Sequence, residues 1–415
     1  MCIFGRNLIK LKLTQYNDPI YGFITIPTPF IAKLVNHPFV QRLRRIKQMG
    51  LSFLVFPSTE HTRFQHALGA MHLATRAVSA LRQQGVEISY EEAEALYACM
   101  LLHDLGHGPF SHALEHVLFP NNTHEDMSIV LMEKLNAEFD GKLDLATHMF
   151  KNTYSRLFFH QLISSHIDLD RLDYLKRDSF YSGVTEGNVN SERLISMMLV
   201  HNDQLVFNTK GVYSIEKFLL ARRMMYWSVY LHKTSFVAEE LLVRFFDRAT
   251  TLIRSNQHVE TSDALGFFLQ RADVDLYEKR NAFVALDDSD VWMMLKDALT
   301  SKDIVLSTLA NMLVNRKLPK IKLENEPFSE EGIAARKSII STKHGLTDDE
   351  ASYFIFSGSL EIQGYQQNEN SIQLCNQNGL CSLFDTSPDT ALLHTLTKKD
   401  TKYFLAFPKG DGYFS

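Results

Sequence analysis

Histidine is unevenly spread along this 415-residue chain. Eight of the 17 histidines fall between residues 61 and 124: His61, His66, His72, His103, His107, His112, His116 and His124. An even spread would place about two or three there. Crowded imidazoles suit metal or phosphate chemistry; core histidines gathered by chance are the other reading. The sharpest feature is His103-Asp104, which follows the apolar run 95–102. Imidazole and carboxylate together make a mixed nitrogen and oxygen ligand set for a divalent transition metal. Successive helical residues point about 100° apart, yet both can reach one ion where a helix ends. The pair gains weight from His66, 37 residues earlier, and from Asp170, 66 residues after Asp104. Four ligands from three helices would close one side of an octahedral site and leave room for water and phosphate. The competing reading makes His66 an ordinary half-buried histidine and Asp170 a capping or surface acid.

A second pattern lies at 168–178. Asp170, Asp173, Tyr174, Arg177 and Asp178 recur at i, i+3, i+4, i+7 and i+8, one face of a helix. Leu169, Leu172 and Leu175 take the other side. Three aspartates, a tyrosine and an arginine on one face suit a pocket for metal, hydroxyls and phosphate. The bland reading is a solvated face with an Asp173–Arg177 ion pair.

Helices must position these groups. Phe64, Leu68, Met71, Val78 and Leu81 follow one stripe. Ser89-Tyr-Glu-Glu92 is a capping box that opens the helix running to His103. Gly106-His-Gly-Pro109 should stop it. Asn190-Ser-Glu192 and Asp288-Ser-Asp290 mark further starts. The whole of 28–315 is expected to be almost wholly helical. Residues 8–28 predict short strands around the turn Asn17-Asp-Pro19. Near Leu318-Pro319-Lys320 the character changes, and strands are expected at 353–362, 372–384 and 402–407, with a weak helix at 388–397. Asn378-Gly379 signals a two-residue hairpin turn flanked by Cys375 and Cys381. The expected architecture is therefore mostly α: an N-terminal β segment (1–30), a helical catalytic core (31–318) and a small α+β C-terminal domain (319–415).

Composition narrows the function classes. Hydrophobic residues make up 45% and charged residues 22%, which excludes collagen-like and extended disordered chains. The net charge of −5 offers no global field for nucleic acid, so an anionic substrate needs a local basic pocket. Nucleic acid is a possible partner that nothing indicates. The longest apolar run falls well short of the roughly 20 residues a membrane span needs. The first 13 residues carry Arg6, Lys10 and Lys12 and lack a long apolar core, so no secretory signal is expected. Four scattered cysteines, Cys2, Cys99, Cys375 and Cys381, form neither a disulfide scaffold nor a four-thiolate zinc site, and a reducing, cytoplasmic setting is the default.

His66, His103-Asp104 and Asp170 fit the H…HD…D signature of the HD-domain phosphohydrolases. The segments Gln41-Arg-Leu-Arg-Arg-Ile-Lys-Gln48-Met49, Arg63-Phe-Gln-His66, His103-Asp-Leu-Gly-His107-Gly-Pro-Phe-Ser-His112, His124-Glu125 and Asp170-Arg171-Leu-Asp173-Tyr174 resemble its deoxynucleoside triphosphate (dNTP) triphosphohydrolase branch. That branch includes sterile-alpha-motif/HD-domain enzymes; the likeness covers roughly residues 20–315, with no sterile-alpha-motif segment expected ahead of it.

The resemblance implies His66, His103, Asp104 and Asp170 as ligands of a divalent metal (manganese, iron, nickel or zinc, with magnesium as a further candidate). Water would attack the α-phosphorus and release a deoxynucleoside and intact triphosphate. His112 is the candidate acid for the leaving oxygen, with Glu115 to orient it, and His107 and His124 would contact phosphate or a second metal. Arg63, Arg171 and Arg222 resemble phosphate clamps. Tyr174, Asp178 and Tyr230 would crowd the deoxyribose, with Gln48 and Met49 lining the same sugar. Arg171 stands where the vertebrate relative has a lysine. Asn36, Gln41 and Arg44 fall where some relatives bind an activating nucleotide between subunits. Asn36 and His37 replace the aspartate and threonine found there, which leaves an exposed helix start as the alternative. The relatives are dimers or tetramers, so a homodimer or homotetramer is implied. Two other functions compete: an HD-type phosphomonoesterase or phosphodiesterase on another nucleotide, and a nucleotide- or nucleic-acid-binding regulator with a vestigial site. Neither a Gly-Tyr-Pro after His-Asp nor a P-loop is present.

Overall fold

The computed structural model describes residues 14–271, 274–362, 365, 371–376, 378–386, 397–410 and 413; the side chains of His112 and Ile362 lie outside it. The centre is a stack of helices built from the expected signals. Helix Arg63–Gln83 opens with a Thr62/Gln65 capping box and buries Phe64, Leu68, Met71, Val78 and Leu81 along its expected stripe. Helix Tyr90–Leu102 opens with the Ser89/Glu92 box and packs along it. It ends at His103, just before the glycine-rich turn. Asp168 caps helix Leu169–Ser182 by accepting from Arg171 N at 2.7 Å, and Gly183 closes it with φ +73°. That helix also packs on Arg63–Gln83.

The turn after His103 is clamped. Ser128, on helix His124–Glu138, accepts from Gly106 N (2.8 Å) and donates to His103 O (2.7 Å). A Cβ on Gly106 would lie 1.9 Å from His124 O and 2.5 Å from Ser128 N, both backbone atoms. Gly106→Ala is therefore expected to cost about 3 kcal/mol, because backbone cannot yield as a side-chain tip can. A denaturation midpoint equal to that of the parent would contradict this packing.

Strands β1 (Gln15–Asp18) and β2 (Gly22–Thr25) form the expected antiparallel hairpin, but Asn17 and Asp18, expected in the turn, end β1, and the turn takes 19–21. Its turn is held by Asp18, which accepts from Ile20 N and Tyr21 N. The expected strand residues before Thr14 lie outside the described residues. The region 28–315 is almost wholly helical as expected, and a second hairpin, β3 (Met198–His201) and β4 (Gln204–Asn208), interrupts it. Its two turn residues, Asn202 and Asp203, both take positive φ, the geometry that two-residue hairpins favour.

Beyond residue 318 lie β5 (Lys320–Glu324), β6 (Phe356–Ile362), β7 (Gln373–Cys375), β8 (Cys381–Leu383) and β9 (Asp400–Phe407). They divide between two sheets. One is antiparallel, in order β5-β9-β6; the other, β3-β4-β7-β8, adds β7 parallel to β4 of the helical core. Helices Glu330–His344 and Asp348–Ser352 complete this α+β part. Cys375 and Cys381 face each other across β7 and β8 and are joined in a disulfide, a pairing not expected from their scatter. Five residues separate them, so the turn is longer than the Asn378-Gly379 pair implied. The weak helix expected at 388–397 falls almost wholly outside the described residues. Among the described residues, no helix is long and apolar enough to cross a membrane.

Candidate active site

His66 and His103 reach the same point from neighbouring helices. His66 Nδ1 is 2.8 Å from Asp173 Oδ2, and His103 Nδ1 is 2.8 Å from the Met100 carbonyl. Each Nδ1–H therefore donates outward, which turns both Nε2 atoms inward, 3.2 Å apart. Two inward lone pairs at that distance call for a cation between them. Asp170 Oδ1 lies 3.1 Å from His66 Nε2 and 3.5 Å from His103 Nε2. The ligand atoms of His66, His103 and Asp170 lie within 4.8 Å of one another. Asp104 flanks them, 3.6 Å from His66 Nε2 and 3.5 Å from His103 Nε2. This donor set fits a divalent transition metal.

Charge supports the fit. Burial works against the charged form of His66, but hydrogen bonds to Asp170 and Asp173 lift it to about 10. Burial likewise opposes ionisation of Asp170, yet His103 and His66 hold its carboxyl far below the usual range. Asp104 is held low against the same burial by the hydrogen bond from His107 and by the charges of His103 and Arg63. The cluster is a negative pocket in a dry interior, and its imidazoles take up positive charge readily.

Asp173 anchors the arrangement. Its carboxylate receives His66 and also Arg177, at 2.9 Å from Nε and 3.0 Å from Nη2. Arg177 is fully buried, and its Nη1 donates to Asp18 of β1 at 2.7 Å. The N-terminal hairpin is thus tied to the cluster through one guanidinium.

A cavity of about 370 Å³ opens beside the cluster. Asp104, Asp170, Arg63, His107 and His124 line one part of it; Gln48, Met49, Tyr174, Asp178 and Tyr230 line another. Arg63 donates to Asp104 Oδ2 (2.6 Å) and to Ser111 Oγ (2.9 Å). Phe110 and Ser111 hold positive φ, 51° and 35°, a strained turn at the cavity wall. Burial, reinforced by Arg63, pushes His107 well below its ordinary pKa, so its imidazole is neutral. Its ring lies 4.0 Å from that of His124. Glu115 Oε1 accepts from both Nδ1 (2.8 Å) and the backbone N (2.9 Å) of His124, and His124 Nε2 lies 3.2 Å from Glu125. Burial opposes protonation of His124, but Glu115 and Glu125 raise its pKa overall. Glu115, expected to orient His112, thus orients His124; the side chain of His112 lies outside the described residues.

Tyr230 donates to Asp178 Oδ2 at 2.8 Å, while His61 Nε2 holds Asp178 Oδ1 at 2.7 Å. Tyr226 and Tyr230 end the helix Val212–Met225 in a π-turn, Tyr226–Tyr230, a wide turn that often marks functional sites. The ring of Tyr230 lies 5.3 Å from Tyr226 and 6.3 Å from Tyr174. Burial raises the phenols of Tyr174 and Tyr230, so both are neutral donors.

Other expected residues stand elsewhere. Arg171 turns back to pair with Asp168, and Arg222 lies 6.0 Å from the Tyr226 ring; neither lines the cavity. Asn36 donates to Ala32 O, Gln41 to Val35 O, and Arg44 to Gln41 while covering the Phe64 ring at 3.6 Å. His61, Ser111, Tyr226 and Glu239 were not singled out for the site. Asp173 was on the acidic face without a role of its own. The partners of His61 and Ser111 lie more than 40 residues away, which local patterns do not carry, and only the packing of distant elements brings Tyr226 and Glu239 to the cavity.

These features define an HD-domain phosphohydrolase. The HD domain model matches residues 63–178, and the HD associated region matches 189–268. The chain belongs to the HD-domain phosphohydrolase family. The fold is similar to the crystal structure of a phosphohydrolase from Bacteroides thetaiotaomicron, with TM-score 0.91 and 43% identity over 95% of this chain and 100% of that one. Uncharacterized protein YwfO of Bacillus subtilis is 31% identical, covering 95% of this chain and 92% of that protein. The deoxynucleoside triphosphate triphosphohydrolase SAMHD1 homolog of Dictyostelium discoideum is 28% identical, covering 94% of this chain and 74% of that protein.

Proposed function

We propose that this hydrolase cleaves dNTPs to a deoxynucleoside and inorganic triphosphate by attack of water on the α-phosphorus. One observation carries the reading: the convergence of His66, His103 and Asp170 beside a cavity walled by Tyr174, Tyr226 and Tyr230. His66, His103, Asp104 and Asp170 would hold a divalent metal. When bound, such an ion polarises the phosphoryl group and lowers the pKa of water. Manganese, iron, nickel and zinc suit these ligands; magnesium, which prefers oxygen, is the further candidate.

The chain's own residues then divide the work. Arg63, in the cavity wall, pairs with phosphate oxygens. Arg171 and Arg222 join it by turning from their present partners. His112 supplies the proton to O5′, and His124, held by Glu115 beside neutral His107, binds phosphate. Tyr174 packs under the sugar, with Gln48, Met49, Asp178 and Tyr230 around it, leaving no space for a 2′-hydroxyl. A homodimer or homotetramer, and an activating nucleotide at Asn36, Gln41 and Arg44, belong to the same reading, as does the division at residue 318.

Chromatographic detection of triphosphate from metal-loaded protein tests the reaction; release of single phosphates would point to a phosphomonoesterase instead. Tyr174→Ala is expected to reduce the preference for dATP over ATP by about tenfold, the worth of one tight steric contact. Competition assays with the two nucleotides check this, and an unchanged preference would remove Tyr174 from sugar selection.

A further inference from the structure

One acid in the cavity has no partner. Glu239 sits in the second turn of helix Lys233–Arg254 and lines the cavity beside Gly50, Ser52 and Leu231. Among the described residues, no hydrogen bond or ion pair engages it. Its Oε1 lies 3.6 Å from where a Cβ on Gly50 would stand, so bare backbone covers that side. Burial, with Glu240 adding to it, pushes the carboxyl up to about 8. None of Asp104, Asp170, Arg63 or His124 contributes to that shift, which sets Glu239 apart from the metal end of the cavity. On the same wall Gln48 Oε1 is buried without a partner. The Gln48 oxygen awaits a donor, and an acceptor left dry and unpaired is costly unless a ligand supplies one; the Glu239 carboxylate, part-buried, opens onto the same cavity.

With phosphates at the Asp104/Asp170 end and the sugar against Tyr174, Asp178 and Tyr230, the remaining lining belongs to the base. Resting on the reading of this site as a deoxynucleotide cleft, we propose that Glu239 reads the nucleobase. Its carboxylate accepts a hydrogen bond from an exocyclic amine and disfavours bases that present a carbonyl at that place. Two acceptors facing each other in a dry site repel, so the discrimination comes as much from rejection as from attraction.

Cytosine and uracil isolate the contact, because their rings match in size and differ at position 4 in amine against carbonyl. The test measures kcat/KM for dCTP and dUTP, by triphosphate release, with metal-loaded protein at pH 9, where Glu239 is ionised. The parent is expected to favour dCTP by about tenfold or more. Glu239→Leu should narrow the ratio to within about threefold, through loss of dCTP turnover and gain of dUTP turnover. Glu239→Gln should narrow it as well, because its amide can turn an N–H toward uracil; a melting curve shows that each variant is folded. A parent without preference, or a ratio untouched by both substitutions, overturns the role of Glu239 alone. Turnover of neither nucleotide by the parent overturns the deoxynucleotide reading, and this inference with it.

Discussion

Asp170→Ala is expected to abolish hydrolysis while leaving the fold intact. Asp170 approaches both imidazoles through one oxygen, Oδ1, at 3.1 and 3.5 Å, whereas Asp104 turns a different oxygen to each. It is also the most exposed of the four proposed ligands, so its removal opens little core. Without it the two Nε2 atoms lack the anion that completes a divalent site. The expected loss in kcat is about a thousandfold or more, the scale on which catalytic groups acting as a unit fail. Metal content should fall in parallel, measured by elemental analysis after gel filtration. Far-ultraviolet circular dichroism should match that of the parent. Retained activity at parental metal content would remove Asp170 from the ligand set.

Arg177→Met is expected to be the most destabilising substitution in the helix Leu169–Ser182. Arg177 carries its charge in a fully buried position, between Asp173 and Asp18. Burial works against its charge, but the two carboxylates outweigh it and hold the guanidinium protonated. Removing the cation leaves Asp18 without a counter-charge and Asp173 with His66 alone, a change worth about 3–5 kcal/mol. Function should fall as well, because Asp173 orients His66 through Nδ1. The expected pattern in denaturant is an early transition, partly recovered in Asp18→Asn/Arg177→Met, where one orphaned charge is gone. Equal stability of Arg177→Met and the parent would show that the triad is not what fixes the hairpin to the cluster.

The two substitutions also show how far the sequence reaches. His66, His103, Asp104 and Asp170 could be read as a set because each sits at a helix end or on a face that periodicity locates. The 170–178 face could be read for the same reason, and the helix Leu169–Ser182 bears it. The role of Asp173 could not. Its two partners, His66 and Arg177, separate the functional reading from the bland one, and the structure joins both in a single carboxylate. The hairpin of β3 and β4 escaped because its strands are four and five residues long inside a helical region, too short for alternation to stand out. Its Asn202-Asp203 turn was the signal available. Cys375 and Cys381 pair through strand register, which spacing alone does not specify. Glu239 resembles any acid on an amphipathic helix; only the packing of that helix against the turn around Gly50 brings it to the cavity.

Product analysis in water labelled with heavy oxygen tests the central claim most directly. Metal-loaded protein is incubated with each dNTP, and the products are separated and weighed by mass spectrometry. Attack on the α-phosphorus places the label in inorganic triphosphate and leaves the 5′-hydroxyl of the deoxynucleoside unlabelled. Label in the deoxynucleoside, or release of pyrophosphate or single phosphates in place of triphosphate, would contradict the proposed reaction.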